Sequence, residues 1–516
     1  MKNSANHKWW ALGALTLAVL AVGLDGTILS VALPTLATAL HASESDLQWF
    51  TSGYLLVLAA AMLPAGMLGD RYGRKKVMLG SLILFGAGSA ACAYATSPAW
   101  FIAARTILGV AGAGIIVMAL SALTVLFTEA ERPRAVGVWA AANFVSLPIG
   151  PILGGWLLTH YWWGWVFLMN VPVALIGFLA AFAMIPESRA PERPAIDLVG
   201  ILSSVVGLAT LTYGLIEAGQ KSWGDVAAVV PMVAGALILF GFFLWERHLS
   251  RRAGGQPLVD LALFRSAAFT WGVILSSVAV LAMIGVLFTM PQYFQAVLGT
   301  DAMGSGLRLL PLIGGLMVGA LLADRLALFV GIKITATLGF LLLAIGLFIG
   351  SMTSSGSTEL FVALWMAVVG LGMGFAMATS ASAALAELPT ERSGVGSAVM
   401  QAMNKVGGPF GAAILGSALN SAYLARLELG NLPAQAADTV RSSVFGGVAV
   451  AQQTGSTALL ASVHDAFIHG MDVALVVSAG FAVAGIVLAL AFLPRRTAEI
   501  EQTIVPRVES VHETAT

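Results

Sequence analysis

The segment Gly66-Met67-Leu68-Gly69-Asp70-Arg71-Tyr72-Gly73-Arg74-Lys75-Lys76 governs the reading of this chain. Apolar runs stand on both sides of it, at 49–69 and 77–96. Each is about 20 residues long, enough at about 1.5 Å rise per residue to cross about 30 Å of hydrocarbon. A charged, glycine-spaced turn therefore joins two membrane-crossing segments. Working outward, fourteen such runs are found: 10–33, 49–69, 77–96, 100–122, 135–158, 165–185, 197–217, 226–246, 268–290, 304–323, 333–351, 358–379, 394–420 and 468–493. In lipid the backbone must satisfy its own hydrogen bonds, so the runs are predicted to be helices. The first continues past Asp25 to Leu33, well beyond the roughly 15 residues of a signal-peptide core, and is kept as a helix.

Composition agrees with this. Of 516 residues, 58% are apolar and 10% charged, against about 25% charged in soluble domains. A soluble enzyme is thereby excluded. Basic and acidic residues balance at 26 each, which leaves no electrostatic footprint for nucleic acid. The single Cys92 forms neither an intrachain disulfide nor a cysteine metal cluster. Gly370-Leu371-Gly372-Met373-Gly374 lies inside an apolar run with no strand before it, so it is not a dinucleotide loop. The chain also lacks a Gly-x-x-x-x-Gly-Lys-Ser/Thr loop for ATP.

Lys and Arg set orientation. Twenty of the 26 fall in termini and loops on the N-terminal side, three on the opposite side (Lys221, Arg426, Arg441) and three within runs (Arg105, Arg308, Lys405). Both termini are expected in the cytoplasm. The segment 421–467 is read as a long outward loop, and 494–516 as a polar cytoplasmic tail.

A repeat is visible. The loop after run 10 reads Gly319-Ala320-Leu321-Leu322-Ala323-Asp324-Arg325, so an Asp-Arg pair is expected to close a helix in both halves. Gly150-Pro151-Ile152-Leu153-Gly154-Gly155 in run 5 corresponds to Gly408-Pro409-Phe410-Gly411 in run 13. The offset of eight runs implies six helices, an inserted pair, and six more. The predicted units are 1–190, a six-helix bundle; 191–265, the inserted helices with a basic loop; 266–493, the second bundle; and the tail.

These motifs resemble those of the major facilitator superfamily, and specifically its fourteen-span drug/proton antiporter branch. The turn at 66–76 is similar to the superfamily's signature loop. Leu24-Asp25-Gly26-Thr27-Ile28 running to Pro34 resembles the acidic motif of span 1, Arg105 with Gly109 the basic motif of span 4, and Gly150-Pro151 the antiporter motif of span 5. Ser146, Leu108 and Gly164 depart from the usual pattern. The resemblance implies an all-α membrane protein of the major facilitator fold in the cytoplasmic (inner) membrane. It would exchange protons for hydrophobic or cationic drugs by alternating access, without a cofactor. A monomer is expected, while the need for a periplasmic adaptor is left open. The alternative is a specific exporter of one metabolite or antibiotic. A membrane enzyme or sensor would need a catalytic cluster or an added soluble domain, and the sequence shows neither.

Candidate residues follow. A carboxylate deep in a membrane helix costs about 2.5 to 3.5 kcal/mol on insertion scales, so Asp25 reads as functional, against the plainer role of a packing acid. The resemblance pairs it with Arg105 for proton coupling, against the alternative of a snorkelling anchor. It also implies a gate at Gly66, Gly69, Asp70, Arg71, Gly73 and Arg74, with Asp324 and Arg325 as counterparts. Gly150, Pro151, Gly154 and Gly155 are assigned to bending and close packing. Lys405, with Gln401 on its face, is divided evenly between substrate contact and helix bonding. Tyr54, Gln292, Tyr293, Gln295 and Met377 are cavity-wall candidates on residue type alone.

Overall fold

The computed structural model describes residues 2–127, 131, 135, 146, 149–189, 197–252, 257–259, 261–386, 390–430 and 432–493. Their regular structure is helical throughout. The first half contains α1 (Lys2–Ala39), α2 (Glu44–Tyr72), α3 (Arg74–Ala93), α4 (Pro98–Leu126), α5 (149–160), α6 (Trp165–Leu168) and α7 (Asn170–Met184). The hairpin of α8 (Leu198–Gln220) and α9 (Val226–Arg251) follows. The second half contains α10 (Ala267–Gln292), α11 (Ala302–Arg308), α12 (Leu310–Val330), α13 (Ile332–Gly350), α14 (Glu359–Ala386), α15 (Thr390–Arg426), α16 (Ala434–Ser442), α17 (Val444–Thr454) and α18 (Thr457–Phe492).

Among the described residues, twelve helical segments are long and apolar enough to cross a membrane, and they fall on twelve of the runs read from the sequence. The run at 394–420 lies within α15. The run at 135–158 lies partly outside the described residues, with α5 at its end.

Polar caps mark where helices begin. Ser43 and Asp46 form a reciprocal capping box at α2: the Asp46 amide donates to Ser43 Oγ (3.2 Å) and the Ser43 amide to Asp46 Oδ2 (2.9 Å). Ser97 caps α4 ahead of Pro98, and Asp197, Asp225, Ser266 and Asp301 cap α8, α9, α10 and α11. Pro291 near the end of α10 precedes a π-helical turn, Tyr293–Val297, as expected where proline interrupts the hydrogen-bond ladder.

Two large hydrophobic cores result, with two smaller clusters beside them. One gathers residues of α1 to α7, the other residues of α10 to α18. They meet chiefly where α2 lies along α15. The hairpin α8–α9 packs on this seam through α8: Ser417 Oγ donates to Leu215 O (2.7 Å) and Asn420 Nδ2 to Gly219 O (2.9 Å).

Two expectations need correction. The segment 421–467 is not an open loop. It is filled by the end of α15, by α16 and α17, and by the first three turns of α18, with Tyr423 Oη donating to Val440 O (2.7 Å). In the hairpin, Glu246 is buried and accepts from the Val259 amide (3.0 Å), while Asp197 accepts from Trp245 Nε1. Finally, Asp324-Arg325 does not close a helix, because α12 continues to Val330. The turn that matches Gly73 (φ 119°) is Gly331 (φ 88°), each joining two helices where an L side chain is strained. Gly331 and Pro409 both lie 258 residues after Gly73 and Pro151. In that register Lys333 matches Lys75, Asp324 matches Gly66, and Leu328 matches Asp70.

Candidate functional site

A cavity of about 400 Å³ lies between the two cores. Its wall includes Thr27, Ser30, Tyr54, Arg105, Ser276, Met283, Phe288, Met377, Gln401 and Lys405. Its α10 face runs 276, 280, 283, 284, 287, 288, a helical stripe. The cavity reaches Ala381, five residues from the end of α14 on the face where the N-terminus lies, here called the near face.

Behind the wall sits an ion pair. Arg105 Nη1 donates to Asp25 Oδ2 at 2.5 Å, and both side chains are buried. Arg105 Nε donates to Phe50 O (3.3 Å), its guanidinium lies 4.0 Å from the Tyr54 ring centroid, and Nη2 has no partner. Tyr54 Oη in turn donates to Val22 O (3.4 Å). Gly109 makes this possible: a methyl group there would lie 2.7 Å from Tyr54 O, so only glycine lets α4 approach α2 this closely. Arg105 and Tyr54 line the cavity, whereas Asp25 stands behind them.

One member of this cluster was missed in the sequence. Asn170, the first residue of α7, donates Nδ2 to Asp25 Oδ1 (3.3 Å) and to Ser89 Oγ (3.3 Å). The available signal was a lone amide opening an apolar run.

On the face opposite the near one, the far face, the halves close over the cavity. Gln292 Nε2 donates to the buried Glu44 (3.4 Å), and Gln295 Nε2 to Val31 O (3.1 Å). Gln292 and Gln295 are therefore not cavity-wall residues: the α10 stripe continues to Gln292, but above the ceiling where the halves touch. Tyr293 is buried as well, donating to Ser354 O (2.8 Å). Gly150 and Gly154 pack on Thr27 and Ile28 of α1, Gly155 on Ala302 and Met303 of α11, and Pro151 O on Gly306.

The signature turn sits at the near face. Gly66 and Gly69 face Val117 and Met118 of α4. Asp70 accepts from Arg74 Nη2 (2.9 Å) within its own turn, while the Arg74 amide donates to Ser188 O (2.9 Å) and the Lys75 amide to Glu187 Oε1 (3.2 Å). Arg71 lies over the Tyr72 ring. Asp324 and Arg325 are exposed.

No cluster able to hold a metal ion occurs among the described residues. A largely apolar cavity with a buried carboxylate–guanidinium pair at its wall has the room and the surface to bind an apolar molecule.

Comparison with known proteins gives the same picture. Residues 15–412 match the Major Facilitator Superfamily. The chain is 33% identical to the tetracenomycin C resistance and export protein of Streptomyces glaucescens, over 93% of this chain and 91% of that one. It is 32% identical to the multidrug efflux pump LfrA of Mycolicibacterium smegmatis, over 91% and 93%. It is 31% identical to the methyl viologen resistance protein SmvA of Salmonella typhimurium, over 91% and 95%. In fold it is similar to the inward-facing, unoccupied structure of a bacterial homolog of the human lysosomal transporter Spinster, with TM-score 0.66 and 15% identity over 94% and 98%. It is also similar to a D-xylose-proton symporter, with TM-score 0.57 and 15% identity over 94% and 97%.

Proposed function

Because the chain belongs to the major facilitator superfamily, we propose that it exports hydrophobic compounds, drugs and antibiotics among them, in exchange for protons by alternating access. The observation that carries this reading is the buried Asp25–Arg105 pair, whose Arg105 lines a cavity between two helical cores. The names of its relatives, which are resistance, export and efflux proteins, support it.

Protonating Asp25 removes its charge-assisted bond to Arg105, a bond stronger than a neutral one. Arg105 then needs another partner, and it is Arg105 that faces the cavity. A proton reaching Asp25 thus changes the charge presented to the cargo without touching it. One charge moving inward through 100 mV contributes about 2.3 kcal/mol, which can drive the cycle.

We place fourteen spans in two six-helix bundles plus the hairpin α8–α9, in the cytoplasmic membrane, with the near face cytoplasmic. The bias of Lys and Arg toward near-face loops supports that orientation. In this frame the structure corresponds to an inward-open state, closed by Glu44 and Gln292 at the far face. The Asp70 turn would then be a gate disengaged from the second half, since Asp70 bonds Arg74 of its own turn.

A second reading is an exporter of one compound, favoured by the single antibiotic in the name of the Streptomyces relative. Efflux of several unrelated dyes from energised cells, with and without an uncoupler, tests both. Uncoupler-sensitive efflux by wild type that is lost in Asp25→Asn supports proton exchange. Retention of that efflux in Asp25→Asn sinks it. Efflux confined to one compound selects the second reading.

A further inference from the structure

We propose that the cavity takes hydrophobic organic anions, with Lys405 as the group that meets the anion. This rests on the cavity being the transport site.

The charges of the wall are one-sided. Among its described residues Arg105 and Lys405 are basic, and none is Asp or Glu. Arg105 is already neutralised: Asp25 Oδ2 accepts from it, and the other carboxylate oxygen is held by Asn170. Lys405 has no hydrogen-bond or ion-pair partner among the described residues, so the described wall offers one basic group without a counter-ion. An ammonium group in an apolar chamber without a counter-ion is costly, and a bound anion offsets that cost. A cationic cargo, one of the classes the family resemblance implies, would instead add a like charge beside it.

The neighbouring groups point the same way. Asn404 Oδ1 accepts from Ser277 Oγ (3.3 Å), and its amide adds two N–H donors beside Lys405. Beyond these, Met283, Leu287, Phe288 and Met377 supply an apolar surface for the body of the cargo. The site therefore combines an apolar chamber with donors and a cation at one point of its wall.

Three fluorescent probes with one ring system test this: pyrenebutyrate, its methyl ester and pyrenebutyltrimethylammonium. Their binding is measured to the full chain in nanodiscs at pH 7.5. Wild type should bind the carboxylate about tenfold tighter than the ammonium compound, the difference one modest charge interaction makes. Lys405→Gln should remove that preference and change ester binding less than twofold, which also shows that the variant is folded. Lys405→Arg should keep the preference, and Lys405→Glu should invert it. Lys221→Gln, in the exposed turn between α8 and α9, should leave it unchanged. Equal or tighter binding of the ammonium compound by wild type overturns the proposal, as does an unaltered preference in Lys405→Gln. A second arm separates this from the transport reading. If a pH gradient across proteoliposomes moves none of the three probes, transport itself is wrong. If it moves the ester and the ammonium compound without favouring the carboxylate, only the anion assignment fails.

Discussion

Asn170 holds Asp25 from the side opposite Arg105, its Nδ2 3.3 Å from Oδ1 while Arg105 takes Oδ2. The carboxylate is thus gripped at both oxygens by two helices, α7 and α4, that α1 packs against. A hydrogen bond to a charged group contributes about 1.5 to 3 kcal/mol. Asn170→Leu should therefore lower gradient-driven efflux about tenfold or more, with cargo binding at fixed pH little changed. Ser89→Ala, which touches Asn170 but not Asp25, should have a much smaller effect. Equal losses in the two variants would show that the cluster matters only for packing.

Removing one partner of a buried ion pair costs about 3 to 5 kcal/mol, because the other charge is left unpaired. Asp25→Asn should accordingly lower the thermal midpoint in detergent. Adding Arg105→Gln should recover most of that loss. Efflux should recover in neither variant, since the proton-binding carboxylate is absent from both. Restored efflux in the double variant would mean that the pair serves stability alone.

These residues differ in how plainly the sequence marked them. Asp25 and Arg105 stood out because lipid penalises a charge within an apolar run, and no packing rule asks for one there. Asn170 did not, because an amide at a helix start is ordinary and its partners are 145 and 81 residues away in sequence. Gln292 was misplaced for another reason: periodicity gives the face of a helix but not the height at which two bundles meet. The second Asp-Arg pair looked like a repeat of the first until the positive φ of Gly331 moved the register by four residues, matching Asp70 to Leu328. Lys405 was visible as a cation, whereas the lack of acids among the described residues of the wall is a property of seven helices together.

Far-face closure depends on Gly155. A side chain there would start 2.7 Å from Ala302 O, on the first turn of α11. Gly155→Val should hold the far face apart. Spin labels at the exposed Thr38 and Ser355 should report a longer or broader distance than in wild type, and efflux should fall severalfold. An unchanged distance distribution would place the closure elsewhere.

Two glycines of the signature turn should respond differently to the same change. Gly73 has φ 119°, and a methyl group there would meet the Glu187 carboxylate at 2.6 Å. Gly66 is helical, and its methyl group would lie 3.6 Å from Val117, an ordinary contact. Gly73→Ala should cost about 1 to 2 kcal/mol in backbone strain, plus the clash. Gly66→Ala should be near neutral. Thermal midpoints of the purified variants decide, and a larger loss in Gly66→Ala would contradict the conformational argument.

The hairpin α8–α9 contributes no residue to the cavity wall, although α8 is bonded to α15 through Ser417 and Asn420. Those two residues lie on α15 beyond Lys405 and Gly408, which do line the cavity. The hairpin is therefore attached to the seam between the two cores without lining the cavity. Asn420→Ala removes a buried bond worth about 1 kcal/mol net, so it should lower stability while leaving the ranking of transported dyes unchanged. Single cysteines in a Cys92→Ala background extend the test: cargo should protect Thr51→Cys of α2 and Ser276→Cys of α10 from a thiol reagent, but not Ser203→Cys of α8. Protection of Ser203→Cys would put the cargo path through the hairpin and displace the cavity between the two cores as the transport site.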